Sequence, residues 1–314
     1  MIYLATILSS FLVSNTLQEI FDNAPSNGEY QKYIILEPNQ IYLGGISGIN
    51  EDGLNVFIDC QGSTIDLNNQ LGIWTYASLG EELNLKVQYC NIINGQYGLY
   101  IQGHSKADIS NCNFYNNHIG VKIKDYTEVT IENTNFINNG YLNSYCGQNI
   151  GGVEYPPCGY GLAIITEEPT VSINYCNSFE NHRTYWENCP GWGDIWTVWD
   201  PYPAIGLIEQ NPGFVDPRSL NFNYNLNSPC IDAGNPNLFD YDGSIRDIGA
   251  NIYIEQILGD CTLDQQLSVT DIIYIINTCI LEINSGDCNC SDINQDSTTN
   301  ISDIILLVNI ILSS

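Results

Sequence analysis

The sequence predicts a mainly β chain in two parts: a parallel β-solenoid over residues 16–255 and a small all-α domain over residues 256–314. Three observations carry this. Residues 85–140 repeat with a period of 22, and apolar and polar residues alternate inside each repeat as strands require. Residues 260–309 repeat with a period of 32 and set oxygen-bearing side chains at fixed loop positions. The 314 residues hold 36 acidic and 8 basic side chains, a formal net charge of −28, in a composition that is 44% hydrophobic. Such a chain buries a core. Its field repels nucleic acid and anionic membranes. A surface adapted to salty water and a cation-binding role both explain the charge, and the two are compatible.

Residues 1–15 read as an apolar run followed by small polar residues, without a basic start. Export through a signal peptide is the expectation; a first strand or a truncated start is the alternative. Twelve cysteines, an even number, suit an oxidising, secreted or cell-surface setting. No run of eighteen apolar residues exists, so no transmembrane segment is expected.

Residues 16–24 read as an amphipathic helix able to plug one end of the solenoid, and residues 55–77 fit the repeat loosely. The repeat is clearest in four columns: Val87, Ile109 and Ile131; Asn91, Asn113 and Asn135; Asn94, Asn116 and Asn138; Gly98 and Gly120. A unit of 22 residues cannot bury its own apolar face and must stack on its neighbours. The Asn columns are expected to hydrogen-bond along the stack. Cys90, Cys112, Thr134 and Cys176 form an inward column, read as stacked buried thiols rather than a disulfide ladder. Residues 141–160 interrupt the repeat, with Cys146 and Cys158 as the natural staple, and the pattern resumes at 162–166 and 170–176.

These columns, with the stretches at 211–236 and 240–251, resemble the right-handed parallel β-helix proteins of pectin-lyase-like fold. The resemblance implies the fold. It implies little about activity, because lyases, hydrolases and adhesins share the scaffold.

In the C-terminal part, oxygen-bearing residues fall at loop positions 1, 3, 5, 7, 9 and 12. They are Asp260, Thr262, Asp264, Gln266, Ser268 and Asp271 in the first loop, and Asp292, Asn294, Asp296, Thr298, Asn300 and Asp303 in the second. Ca2+ takes six to eight oxygens, and this spacing wraps a loop around it. An apolar helix follows each loop. Gln265 and Ser297 stand where such loops usually have Gly, and Thr262 makes the first site the weaker one. The paired loops resemble a type I dockerin. That resemblance implies a calcium-dependent module and a cohesin-like partner met at Val269, Thr270, Ile301 and Ser302. Cys261, Cys279, Cys288 and Cys290 are expected to form two disulfides, with a zinc site as the alternative.

Extending the repeat places Trp74, Tyr100 and Lys122 in one outward row and Tyr76, Gln102 and Lys124 in the next. Aromatic rings and lysines on one face suit a polysaccharide. His104 lies at the adjacent turn, and Lys122, Lys124 and His104 are the catalytic candidates. They resemble in part the basic-Ile-Lys and Gly-His elements of polygalacturonases. A glycosidase also needs two spaced carboxylates, and none is paired on this face. Packing beneath residues 141–160 is the structural alternative for these side chains. The Trp-rich stretch 182–199, with His182 and Arg183, reads as a covering loop ahead of a sugar platform. Arg246 and Asp247 read as structural, and His118 as a turn residue without a partner. The expectation is a secreted, polysaccharide-interacting β-helix assembled through its calcium module, possessing lyase or hydrolase chemistry if it is an enzyme. The rival is a non-catalytic surface protein in which the β-helix is a rigid spacer or glycan-binding module.

Overall fold

A computed structural model describes residues 16–140, 149–150, 153–154, 160–181, 195–197, 204–254, 257–262, 266–283, 286 and 288–313. Residues 1–15, Cys146, Cys158, His182, Arg183 and Asp264 lie outside the described residues. The chain divides into two compact units, Met1–Tyr253 and Ile254–Ser314.

The first unit is a parallel solenoid with three sheets along its sides. Sheet 1 has seven strands: Lys32–Ile35, Leu54–Asp59, Leu83–Gln88, Lys106–Ser110, Glu128–Glu132, Thr170–Asn174 and Ala204–Ile205. Sheet 2 has six: Ile41–Leu43, Thr64–Asp66, Asn91–Ile93, Asn113–Tyr115, Asn135–Ile137 and Asn177–Phe179. Sheet 3 has six: Ile46–Ile49, Leu71–Ala77, Tyr97–Gly103, Ile119–Ile123, Leu162–Ile164 and Ile195–Thr197. The register is the repeat itself: Val87, Ile109 and Ile131 pair in sheet 1, and Asn91, Asn113 and Asn135 pair in sheet 2. Inward Ile, Leu and Val of all three sheets fill one core, in which Phe114 and Phe136 stack at 5.5 Å.

Two features make the short coils possible. Single residues in the left-handed region turn the chain between sheets, among them Asn94, Asn111, Asn116, Asn133 and Asn138 at φ between 48° and 60°, a conformation Asn tolerates. Coils also approach closely along a glycine column. A Cβ on Gly72 would lie 1.9 Å from the Gly98 carbonyl, one on Gly98 2.5 Å from Gly120 O, and one on Gly120 2.4 Å from Gly161 O. The Gly98–Gly120 column of the sequence is therefore longer than the clearest repeats showed.

Side-chain amides bond up the stack as expected: Asn113 donates to Asn91, Asn135 to Asn113 and Asn177 to Asn135 at 2.7–3.0 Å. Asn116 likewise donates to Asn94. Asn138 departs from its column and reaches Tyr115 Oη at 3.4 Å instead. The Asn91–Asn177 ladder also holds the closing segment. Asn135 donates to Tyr224 Oη and Ile248 O, Asn111 to Asp247 O, and Asn91 to Asn251 Oδ1. That segment supplies Phe214, Phe222, Tyr224, Cys230 and Ile248 to a second core with Ile93 and Ile137. Arg246 pairs with Asp240 at 2.9 Å and donates to Tyr89, and Asp247 accepts from Asp232 N and Tyr253 N. Both are structural, as their sequence context suggests.

Helix α1, Leu17–Asn23, starts at a capping box of Thr16 and Glu19. It buries Leu17 fully and packs Ile20 and Phe21 on the solenoid core. One cysteine expectation is corrected: Cys90 is no thiol but is disulfide-bonded to Cys60 of the preceding coil. The inward column brings the two Cα atoms to 4.8 Å, within disulfide range. Cys112 and Cys176 are free and buried, and burial pushes both thiols up to about 12.

The second unit contains α2 (Val269–Tyr274), which continues into a π-helical turn at Ile275–Ile280, and α3 (Ile301–Ser313). Its core gathers Cys261, Ile275, Cys290, Ile304 and Leu307. Cys261 pairs with Cys290 and Cys279 with Cys288, which removes the zinc alternative. Among the described residues no helix is long and apolar enough to cross a membrane.

Candidate functional site

Sheet 3 brings the predicted face together. Trp74 lies opposite Tyr100, and Tyr100 opposite Lys122; Tyr76 lies opposite Gln102, and the Lys124 amide bonds Ile101 O one coil on. The outward direction of these side chains follows from strand alternation, because Ile73, Leu99, Ile101, Val121 and Ile123 point into the core.

The first row is closed on itself. Trp74 and Tyr100 stack with centroids 6.3 Å apart and planes 15° from parallel. The Lys122 ammonium lies 4.6 Å from the Tyr100 centroid and 4.5 Å from that of Tyr97, and donates to Tyr97 Oη at 3.4 Å. The Tyr100 ring and the ammonium, with one face of the Trp74 ring, are thus engaged within the protein. Burial raises the Tyr100 phenol above its ordinary value, with Tyr97 and Asp125 adding to the effect. Tyr97 was missed in the sequence because a shift in the alternation at Gly98 and Leu99 turns it outward. His118 is buried with Nδ1 unbonded among the described residues; burial first, and the Lys122 charge second, lower its pKa.

The second row is open. Tyr76 is 39% exposed. Lys124 lies 3.5 Å from the Asp125 carboxylate, which also accepts from Gly103 N at 3.3 Å. Beside this row His104 stacks on Tyr126, with centroids 5.1 Å apart and planes 4° from parallel, and Tyr126 is 60% exposed. Tyr126 stands one repeat after His104, so the period of 22 contains the signal for the pair. The rim therefore offers two accessible aromatic rings, an amide, an ammonium and one carboxylate. Further along sheet 3, Ala163 and Tyr160 are buried with Ile119. The Trp-rich stretch has described backbone at Ile195–Thr197 only, where Trp196 pairs with Ala163.

In the second unit the two loops share one hydrogen-bond pattern. Asp271 accepts from Thr262 N and Ser268 N, and Asp303 from Asn294 N and Asn300 N, at 2.9–3.1 Å. These are loop positions 3 and 9 in both cases. Burial pushes the Asp271 carboxyl up, but the Thr262, Ser268 and Cys261 donors outweigh it and hold the group below its ordinary value. Asp292 accepts from Asp296 N and Ser297 N, and Asp296 from Thr298 N. Among the described residues no three His, Cys, Asp or Glu side chains lie close enough together to hold a metal ion. The donor set still fits a hard cation. Every predicted ligand carries oxygen, Asp271 and Asp303 are fully buried carboxylates, and residues 256–314 contain no Lys or Arg to neutralise them. Val269, Thr270, Ile301 and Ser302 are the first residues of α2 and α3, and Val269 and Ile301 are exposed.

No curated protein matches the chain. Among solved structures it is similar to the crystal structure of pectate lyase Pel9A, at 13% identity and a TM-score of 0.36, over 72% of this chain and 89% of that one. A likeness of that strength transfers no chemistry. Residues 56–193 match the family model described as the right handed beta helix region, and the solenoid is accordingly a right-handed β-helix.

Proposed function

We propose that the β-helix binds a polysaccharide along the outward rim of sheet 3. The observation that carries this is two exposed rings on the face that holds Lys124, Tyr76 opposite Gln102 and Tyr126 stacked on His104. Sugar C–H faces pack on accessible rings, and an amide and an ammonium orient hydroxyl and carboxylate substituents. Trp74, Tyr100 and Lys122 form the neighbouring outward row of the same sheet. The engagement of Lys122 with Tyr97 favours binding over catalysis, because a general base needs a lone pair free to reach its substrate. Secretion agrees with the three disulfides among the described residues.

The C-terminal unit, in the same proposal, is a dockerin-like module that depends on calcium. Asp292, Asn294, Asp296, Thr298, Asn300 and Asp303 would hold one Ca2+, and Asp260, Thr262, Asp264, Gln266, Ser268 and Asp271 a second, weaker one. The bound cation would supply charge that the loops lack. A cohesin-like partner would meet Val269, Thr270, Ile301 and Ser302.

The test is depletion of the full chain from solution by pectate, alginate, and sulfated and neutral glycans in millimolar-range calcium, with product assays in parallel. Binding without new reducing ends or unsaturated products supports the reading. Turnover would make the protein an enzyme, and failure to bind any glycan would leave the β-helix a spacer.

A further inference from the structure

A second groove runs over the outer face of sheet 1, on a different side of the solenoid. Its volume is 710 Å³. One row of outward side chains is Asn55, Asn84, Lys106, Glu128 and Thr170, and the next is Lys86, Asp108, Thr130 and Ser172, each on a successive coil. Five coils at about 4.8 Å give an open track of about 20 Å parallel to the solenoid axis. Tyr30 walls one end. Its ring lies 5.2 Å from Phe57, which stacks on Tyr33 at 5.1 Å.

We propose that this groove is a glycan site separate from the sheet 3 rim, and that it takes an uncharged, hydroxyl-rich polysaccharide laid along the axis. Three observations favour that occupant. The Tyr30 ring at the end of the groove supplies a packing surface for sugar C–H groups. The track beyond it is lined by amides and hydroxyls, which donate and accept as sugar hydroxyls do, and Thr130, Thr170 and Ser172 are exposed. Its charges leave no excess of positive sign: Glu29, Asp108 and Glu128 face Lys86 and Lys106. Lys106 is tied to Glu128 at 2.9 Å, and Lys86 lies 5.8 Å from the Phe57 centroid. An acidic chain would meet three carboxylates here, in a protein of net charge −28.

The proposal is independent of the sheet 3 reading, and the test separates them. Cellohexaose, mannohexaose, xylohexaose, oligogalacturonate and polylysine are titrated calorimetrically into the full chain and into Tyr30→Ala, Thr130→Trp and Tyr126→Ala. The expected result is binding of at least one neutral hexaose, weakened about tenfold in Tyr30→Ala and Thr130→Trp and unchanged in Tyr126→Ala. Thr130 is exposed, so its variant decides the matter even where Tyr30→Ala fails to fold. Absence of neutral binding overturns the proposal. So does neutral binding that is lost in Tyr126→Ala alone, which would assign the ligand to sheet 3. A preference for oligogalacturonate or polylysine that Thr130→Trp removes overturns it as well.

Discussion

Lys122 places its ammonium 4.6 Å from the ring centroid of Tyr100, its neighbour on the preceding coil. The contact engages a residue that the sequence offers as a catalytic base. A half-buried cation over two aromatic rings contributes about 0.5–2 kcal/mol. Lys122→Met keeps the aliphatic stem and removes the charge. Urea unfolding is expected to show a loss within that range, with polysaccharide binding reduced less than by changes at the rim. Full stability combined with loss of a catalytic activity would instead identify Lys122 as a base.

Asn135 is fully buried and joins the ladder to the closing segment, through Asn113, Tyr224 and Ile248. Asn135→Ala strands several buried partners, each costing about 1–3 kcal/mol. A loss of at least about 2 kcal/mol is expected in a denaturant melt. Asn138→Gly is the contrast. Its φ of 60° suits glycine, and its side chain makes only a 3.4 Å contact, so a change within about 0.5 kcal/mol is expected.

Asp247 gives the β-helix a pH dependence. Burial raises its carboxyl to about 7, with the Tyr253 and Asp232 amides opposing and Asp240 and Asp232 adding to the rise. The folded state therefore holds a proton that the unfolded chain releases near 4. Stability from this group is complete below that value and is lost as pH rises through about 7. The β-helix transition is expected to be several degrees lower at pH 8 than at pH 5, and Asp247→Asn is expected to flatten the difference. An equal slope in the variant would assign the effect to other groups.

Calcium removal is expected to loosen the C-terminal unit. Chelation should lower the helical signal of the isolated transition, and Asp303→Ala should weaken calcium uptake more than Thr262→Ala, since Thr262 belongs to the poorer loop. Isothermal titration reads both. Equal helicity and no heat of binding would remove calcium from the account.

Much of the fold was legible because the β-helix writes its register into the chain. Val87, Ile109 and Ile131 pair at the spacing of the repeat, and the Asn columns form their ladders. The Cys60–Cys90 bridge was not legible. Those two residues are 30 apart, because the turns between them are longer than in the next coil, and the period of 22 hides their adjacency. The outward rows of sheet 3 were legible for the same reason as the register. What the sequence could not convey is which rings face solvent. Trp74 and Tyr100 stack along the axis and are half-buried, whereas Tyr126, one repeat beyond His104, is open. Tyr97 was hidden by the local shift at Gly98. The sheet 1 groove was missed because its aromatic end comes from Tyr30, outside the repeat.

The most direct test of the sheet 3 rim is calorimetric titration of the full chain with oligogalacturonate and neutral oligosaccharides in calcium, repeated on Tyr76→Ala and Tyr126→Ala. Both side chains are exposed, so the variants are expected to unfold within about 1 kcal/mol of the parent. The account predicts saturable binding of at least one oligosaccharide, weakened about tenfold by each change. Binding of every oligosaccharide surviving both changes undiminished, or no binding in the unaltered protein, would contradict it.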